Sequence, residues 1–181
     1  MQETQKIVIT GGPGTGKTSI INDLKKRGYV CFDEISRDIT LKAREDGIEQ
    51  LFLTKPLLFS ELLLEGRKKQ YLEAEKQQTA RVFLDRGIPD ILAYMDFIGD
   101  TYPKTFEEHC SKHPYNTVFL LKPWEAIFVS DRERYENFEQ AVQIYHQLQK
   151  TYAKFGYQLL DVPFGSVEQR TTYILDTINN L

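Results

Sequence analysis

The sequence predicts an α/β protein in which a five-stranded parallel sheet is covered by helices on both faces. Short apolar segments alternate with longer amphipathic segments along the whole chain, and this alternation is typical of repeated strand–helix units. A glycine-rich turn follows the first apolar segment, and a pair of acids follows the second. Both features come at the carboxyl ends of predicted strands, where open parallel sheets bind their ligands.

The first predicted strand, residues 6–10, leads into a run at residues 11–18 that fits the pattern G-x-x-x-x-G-K-[ST]. Glycines allow consecutive backbone N–H groups to turn toward one anion. Lys17 adds a point charge, and Thr18 adds a hydroxyl ligand for Mg²⁺. We therefore predict a phosphate loop for a nucleoside triphosphate. The predicted nucleotide-binding residues are Gly12, Pro13, Gly14, Thr15, Gly16, Lys17, Thr18 and Ser19.

Length and composition limit the class of protein. The 181 residues suit one domain, 1–181, and the net charge of -3 argues against nucleic acid as the main partner. The first strand begins near the start of the sequence and no apolar run approaches membrane-spanning length, so we expect no secretory signal, no membrane span and a cytoplasmic location. The two isolated cysteines, Cys31 and Cys110, fit a reducing compartment.

Candidate acceptor-site residues follow the second strand, which is predicted at residues 29–32. Asp33 and Glu34 come directly after this strand, and Arg37 lies in the first turn of the next predicted helix. Residues three apart share one face of a helix, so we expect Glu34 and Arg37 to reach the same cleft. The sequence leaves open whether Asp33 or Glu34 is the catalytic acid.

A long helix is predicted at residues 57–78, with Thr54 as a cap-like residue and Pro56 in the first turn. Its first half is apolar, and we expect this half to pack on the sheet or to form a lip over the substrate. Its second half carries a charge run at residues 65–76. Such a run predicts a solvated helix face, and a binding site for a partner is the alternative.

The third strand is predicted at residues 80–87, and Asp85 lies near its exit. Proteins with a phosphate loop keep an acid at this position to hold Mg²⁺, directly or through water. Arg86 comes next, where motor and remodelling ATPases commonly have a second acid. Asp90 lies near the start of the following helix, and both substrate contact and compensation of the helix dipole remain open for it.

The fourth and fifth strands are predicted at residues 116–121 and 157–163, and Ser166 is predicted to cap the last helix. Trp124 leaves the fourth strand. Its ring can stack on a base or substrate ring, or it can pack at the strand exit, as amphipathic rings commonly do. The sequence alone leaves these two roles for Trp124 open.

Two arginines, Arg132 and Arg134, lie at a predicted junction between a loop and the helix that begins near residue 138. Phosphoryl transfer needs cations that close over the γ phosphate, and arginine provides planar, bidentate contacts. We therefore predict a lid at about residues 124–138. The alternative is a solvated charge run that pairs with itself.

The phosphate loop, residues 83–87 and residues 131–134 together resemble P-loop NTPases of the kinase-like branch, in particular the AAA_28 group of NadR-Ttd14-like nucleotide-binding proteins. The resemblance implies a sheet of order 2-3-1-4-5, ATP or GTP with Mg²⁺, and an acceptor site opposite the phosphate loop. In nucleoside-kinase relatives an acid after the second strand acts on the acceptor hydroxyl, and Asp33 and Glu34 occupy that place. Asp85 and Arg86 match the acid–arginine pair after the third strand.

These observations predict a Mg²⁺-dependent phosphotransferase that uses ATP, or GTP, on a small hydroxylated, nucleoside-like acceptor. We assign catalysis to Lys17, Asp33, Glu34, Arg132 and Arg134, acceptor contacts to Glu34, Arg37, Arg86 and Asp90, and Mg²⁺ binding to Thr18 and Asp85. The alternative is a nucleotide-dependent switch or a regulatory ATPase module. No Asn-Lys-x-Asp motif is present in the sequence, which disfavours a Ras-like GTPase. No sequence run identifies the acceptor.

Overall fold

The protein is described here by a computed structural model, which covers residues 3–128 and 136–181. Five strands form one sheet in the order β2-β3-β1-β4-β5, and each neighbouring pair is parallel. The strands are β1 (Gln5–Gly11), β2 (Val30–Phe32), β3 (Arg81–Asp85), β4 (Thr117–Leu121) and β5 (Leu159–Val162). Both the fold class and the strand order that the sequence predicted are confirmed.

Helices connect successive strands, as parallel pairing requires. They are α1 (Lys17–Lys26), α2 (Ser36–Glu45), α3 (Leu51–Thr54), α4 (Pro56–Glu75), α5 (Pro89–Ile98), α6 (Thr105–Lys112), α7 (Phe138–Lys154) and α8 (Val167–Asn179), with a 3₁₀ turn at Glu125–Ile127. Within residues 3–128 and 136–181, none of these helices is both long and apolar enough to cross a bilayer.

Alternate side chains of the strands build two separate core layers. Ile7 and Ile9 of β1 point to one face of the sheet, where they join buried residues of α1 and α8. Val8 points to the other face, where it joins buried residues of α4, α5 and α7. Both faces are therefore covered, which explains why the strands are continuous apolar runs. The loops at the carboxyl ends of the strands carry the polar residues of the candidate site.

The chain between β2 and β3 differs from the prediction. The short helix α3 was not predicted, and Thr54 is its last residue rather than the cap of α4. The Thr54 hydroxyl donates to the carbonyl of Gln50 at 3.2 Å, back into its own turn. Pro56 is the first residue of α4, as predicted, and this helix ends at Glu75. A short helix of this kind leaves no periodic pattern long enough to recognise.

Helix α8 begins with the cap that the sequence predicts. The Ser166 hydroxyl accepts the N–H of Gln169 at 3.1 Å, and the Gln169 side chain accepts the N–H of Ser166 at 2.9 Å. This reciprocal pair satisfies two backbone donors that the helix itself leaves unpaired.

We expect Ser166→Ala to lower the free energy of unfolding by about 1 kcal/mol, because the capping hydroxyl is lost. Urea denaturation measures this change. Ser36→Ala is the matched control, since Ser36 is the first residue of α2, where the N–H groups are capped by the Glu34 carboxylate and not by the Ser36 hydroxyl. Its effect should stay within about 0.5 kcal/mol. Equal effects of the two substitutions would contradict the assigned role of the cap.

Candidate functional site

The loop between β1 and α1 turns through two glycines in the left-handed region. Gly14 has φ 70° and Gly16 has φ 87°, angles that residues with a Cβ rarely adopt. The Thr15 hydroxyl closes the turn by donating to the carbonyl of Gly12 at 3.0 Å. The loop leads directly into α1, whose first N–H groups have no partner within the helix and suit an anion. Ser19 is exposed in this first turn.

The Lys17 ammonium is folded back onto this loop. It donates to the carbonyls of Gly11 and Gly12 at 2.9 and 2.7 Å and to the Thr15 hydroxyl at 3.2 Å. Burial and the charge of Arg86 together lower the pKa of Lys17 to about 7, although nearby carboxylates oppose this shift. The partners of this ammonium are neutral oxygens, so an incoming phosphate would offer it a stronger, charge-assisted contact.

Asp85 ends β3 directly beside Ile9 of β1. Asp85 is 4% exposed, and its Oδ1 has no hydrogen-bond partner in the part of the chain that the structure describes. Burial raises the pKa of Asp85, although Lys17 and Arg86 oppose this shift. A carboxylate oxygen without a partner and the exposed hydroxyl of Thr18 are oxygen ligands of the kind that Mg²⁺ prefers.

The described residues contain no group of three or more histidine, cysteine or acidic side chains that can hold a metal ion. Mg²⁺ commonly takes one or two carboxylates from a protein and completes its coordination with phosphates and water. The residues present therefore fit a metal ion that arrives with a triphosphate. They do not form a complete protein cage.

Glu34 is held by two arginines from different elements. Nη2 of Arg67, in α4, donates to the two carboxylate oxygens at 3.2 and 3.4 Å, and Arg86 pairs with Glu34 through Nε. The N–H groups of Ile35 and Ser36 donate to Oε1 at 2.9 and 3.0 Å. Burial alone would raise the pKa of Glu34, but Arg67, Arg86 and the Ser36 N–H outweigh it and hold the pKa at about 2.

Arg86 links the Glu34 carboxylate to the phosphate loop. Its Nη1 donates to the carbonyl of Gly11 at 3.2 Å and to Oδ1 of Asp90 at 3.3 Å, and its guanidinium lies 5.2 Å from the centre of the Tyr94 ring. The backbone of Arg86 has φ 73°, a strained conformation for a residue with a Cβ. Surrounding contacts must hold this conformation in place.

Asp90 lies beneath these residues and is 1% exposed. Its carboxylate accepts hydrogen bonds from Thr10 and Tyr152 at 2.5 Å each, from the N–H of Gly87 at 2.9 Å and from Arg86. Both of its oxygens are therefore engaged within the protein. These contacts near the start of α5 agree with the dipole-compensation alternative for Asp90. Its burial leaves the substrate-contact alternative without an accessible oxygen, whereas the Glu34 side chain is 19% exposed.

Asp33 and Arg37 occupy more outward positions than Glu34. Both carboxylate oxygens of Asp33 accept from Lys25 of α1 at 2.6 Å, and the Asp33 side chain is 65% exposed. Arg37 is exposed in the first turn of α2. The structure thus brings Glu34, Arg86 and the phosphate loop together, and it leaves Asp33 and Arg37 at the periphery.

The two predicted lid arginines, Arg132 and Arg134, fall in residues 129–135 and lie outside the described residues. Trp124, at the described edge of the predicted lid, stacks on Phe164 after β5, with ring centres 4.9 Å apart. This contact agrees with the packing alternative for Trp124.

Two buried arginines, Arg67 and Arg170, were not identified from the sequence. Both lie at apolar positions of their helices, and this pattern is visible in the sequence. In α4 the buried positions include Ser60, Leu64, Arg67 and Tyr71, so Arg67 falls on the apolar helical period. The prediction that residues 65–76 form a solvated face is wrong at this position. Arg170 likewise shares the buried face of α8. An arginine at an apolar position of a helix is a candidate for a buried ion pair or a backbone contact.

A five-stranded parallel sheet of this order, with a phosphate loop after β1, is the P-loop NTPase fold. The sequence profile of the AAA_28 family, described as an AAA domain, matches residues 6–170, and the chain belongs to this family. No curated protein matches the sequence significantly.

Three solved structures illustrate the likeness in fold. Deoxyadenosine kinase from M. mycoides, with products dCMP and dCDP, has a TM-score of 0.72 at 16% identity, covering 98% of this chain and all of that chain. Thymidylate kinase from Candida albicans has a TM-score of 0.71 at 15% identity, covering 98% and 92% of the two chains. NadR in complex with NR has a TM-score of 0.75 at 16% identity, covering 98% of this chain and 51% of NadR. At these identities the likeness shows the fold alone.

The ion pairs of Glu34 should make stability depend on acidity. Its folded-state pKa of about 2 lies below its ordinary value of 4.5, so the pairing stabilises the fold fully above about pH 4.5 and is lost as the pH falls toward 2. We expect Glu34→Gln to lower the free energy of unfolding by about 3 kcal/mol at pH 7, and the difference from the natural protein to shrink in acid. Denaturant titrations at several pH values measure it.

Asp33→Asn is the control, because an exposed ion pair contributes at most about 1 kcal/mol. A stability difference for Glu34→Gln that stays constant between about pH 6 and about pH 3 would contradict the assigned ion pairs.

Proposed function

We propose that the protein is a Mg²⁺-dependent phosphotransferase that transfers the γ phosphate of ATP, or GTP, to a small hydroxylated, nucleoside-like acceptor. One observation carries the proposal. An ionised carboxylate, Glu34, is held by Arg67 and Arg86, and Arg86 links it to Gly11 at the start of the phosphate loop. A switch protein has no need of such a group beside the nucleotide, whereas a kinase needs an acceptor for a hydroxyl hydrogen bond.

In this proposal the loop amides and Lys17 bind the β and γ phosphates, and Thr18 and Asp85 bind Mg²⁺. When bound, the metal ion neutralises charge on the phosphate oxygens. Glu34, rather than Asp33, accepts the hydrogen bond of the acceptor hydroxyl. Arg37, which lies at the periphery, contacts the outer part of the acceptor.

The transfer step follows from these roles. The hydroxyl oxygen forms a bond to the γ phosphorus, and the bond from that phosphorus to the β–γ bridging oxygen breaks, so the electron pair leaves with the nucleoside diphosphate. The hydroxyl proton passes to a Glu34 oxygen as the new bond forms. A carboxylate of such low pKa is a weak base, so its main contribution is orientation of the hydroxyl. Arg132 and Arg134 stabilise charge on the transferred group.

Acceptor-dependent formation of ADP or GDP tests the proposed function. Purified protein is incubated with Mg-ATP or Mg-GTP and a panel of nucleosides and related hydroxylated metabolites. We expect at least one acceptor to be phosphorylated, with Glu34→Gln reducing turnover by about 10² or more and Asp33→Asn having little effect. Slow hydrolysis that no acceptor stimulates, together with nucleotide-dependent binding of a partner, would instead support the switch.

The lid assignment predicts a separate kinetic result. Replacing both arginines, Arg132→Ala with Arg134→Ala, should lower turnover by about 10³, because cations at the transferred phosphate act in the transition state. Nucleotide affinity should change much less. Steady-state kinetics and calorimetric titration give the two quantities, and unchanged turnover would remove the lid assignment.

The pKa of Lys17 predicts how nucleotide affinity depends on pH. Because this pKa is about 7 in the nucleotide-free protein, Lys17 must regain its proton to bind phosphate at higher pH. Affinity for Mg-ATP should therefore fall by up to about tenfold per pH unit above 7. Lys17→Arg stays charged at every working pH and should lose this dependence. Titrations between about pH 6 and about pH 8.5 measure it, and a flat profile for the natural protein would contradict the assignment.

A further inference from the structure

Arg170 lies against the back of the phosphate loop. It projects from α8, is 3% exposed, and donates from Nη2 to the carbonyl of Thr15 at 2.7 Å. Its Nη1 lies 2.8 Å from the position that a Cβ on Gly16 would occupy. The guanidinium therefore fills the space that the missing Gly16 side chain leaves, and it hydrogen-bonds to the loop backbone at Thr15.

The charge of Arg170 has no acidic counterpart in residues 3–128 and 136–181, where it forms no ion pair and its Nε has no hydrogen-bond partner. Burial lowers its pKa. The Trp124 ring lies 5.8 Å from the guanidinium carbon, and Phe164 covers that ring. A buried cation without a balancing acid destabilises the folded state. Its position behind the predicted phosphate site indicates that the charge serves anion binding.

We propose that Arg170 is a positioning residue of the phosphate loop, and that its charge, which no acid of the described residues balances, adds to the attraction for the triphosphate. Because the Thr15 carbonyl accepts a hydrogen bond from Arg170, this carbonyl oxygen points toward α8 and away from the anion site. A cation close behind a water-excluding loop acts through a lower effective dielectric than bulk water provides. The inference rests only on the nucleotide-binding part of the proposed function.

The experiment compares two ligands that share a triphosphate but differ in the base, Mg-ATP and Mg-tripolyphosphate. Calorimetric titration gives the affinity of each for the natural protein, Arg170→Met and Arg170→Lys. We expect Arg170→Met to lose about tenfold to 100-fold in affinity for both ligands, because one charge-assisted contact and one charge are removed. Arg170→Lys keeps the charge and should lose less, about threefold to tenfold.

Arg27→Met is the matched control. Arg27, at the end of α1, also binds α8, through the Thr172 hydroxyl at 3.0 Å and the Glu168 carbonyl at 3.3 Å, but it is exposed and those contacts lie on α8 rather than on the loop. Its loss removes an arginine contact to α8 and should leave both affinities within about twofold. Thermal unfolding without ligand separates lost affinity from lost stability.

Several outcomes would overturn the inference. Unchanged affinities in folded Arg170→Met would do so, as would a loss confined to Mg-ATP, which would indicate contact with the base. If Arg170→Met does not fold, Arg170→Lys decides, and unchanged affinity for tripolyphosphate in that variant also overturns it. Absence of any binding by the natural protein would remove this inference together with the proposed function. Binding without acceptor phosphorylation would remove the transferase alone.

Discussion

The buried carboxylate of Asp90 is the contact on which the rest of the site depends. It joins β1 through Thr10, the turn after β3 through Gly87, and α7 through Tyr152. Its bond to Arg86 holds that arginine in a backbone conformation that costs energy, and Arg86 in turn meets the phosphate loop and Glu34. A single interior acid thus fixes the distance between the nucleotide loop and the candidate acceptor group.

The charges at the strand ends compensate one another. Lys17, Arg67 and Arg86 lie among three carboxylates, Glu34, Asp85 and Asp90, and each of the three cations is influenced by more than one acid. Such clusters tolerate burial because charges of opposite sign lie close together. The compensation differs between the charges. Neighbouring arginines hold the pKa of Glu34 low, whereas burial lowers the pKa of Lys17 in spite of the nearby carboxylates. A magnesium-bound triphosphate would redistribute it, since it brings both an anion and a cation.

Local sequence was sufficient for features that depend on neighbouring residues. The phosphate loop lies between β1 and α1 as predicted, the strand order agrees with the family resemblance, and Ser166 caps α8. Long-range packing decided the rest. Arg67 is buried because α4 crosses over Glu34, and a charge run in one dimension does not contain that information. The same limit left Asp33 and Glu34 indistinguishable, because their difference comes from Lys25 on one side and two arginines on the other.

The stacked pair of Trp124 and Phe164 has a practical consequence. Trp124 is the only tryptophan in the sequence, and its indole packs against a half-exposed ring and faces the guanidinium that contacts the phosphate loop. Its fluorescence therefore originates from one place, a short distance behind the nucleotide loop. The protein carries its own optical reporter for events at that loop, with no label added.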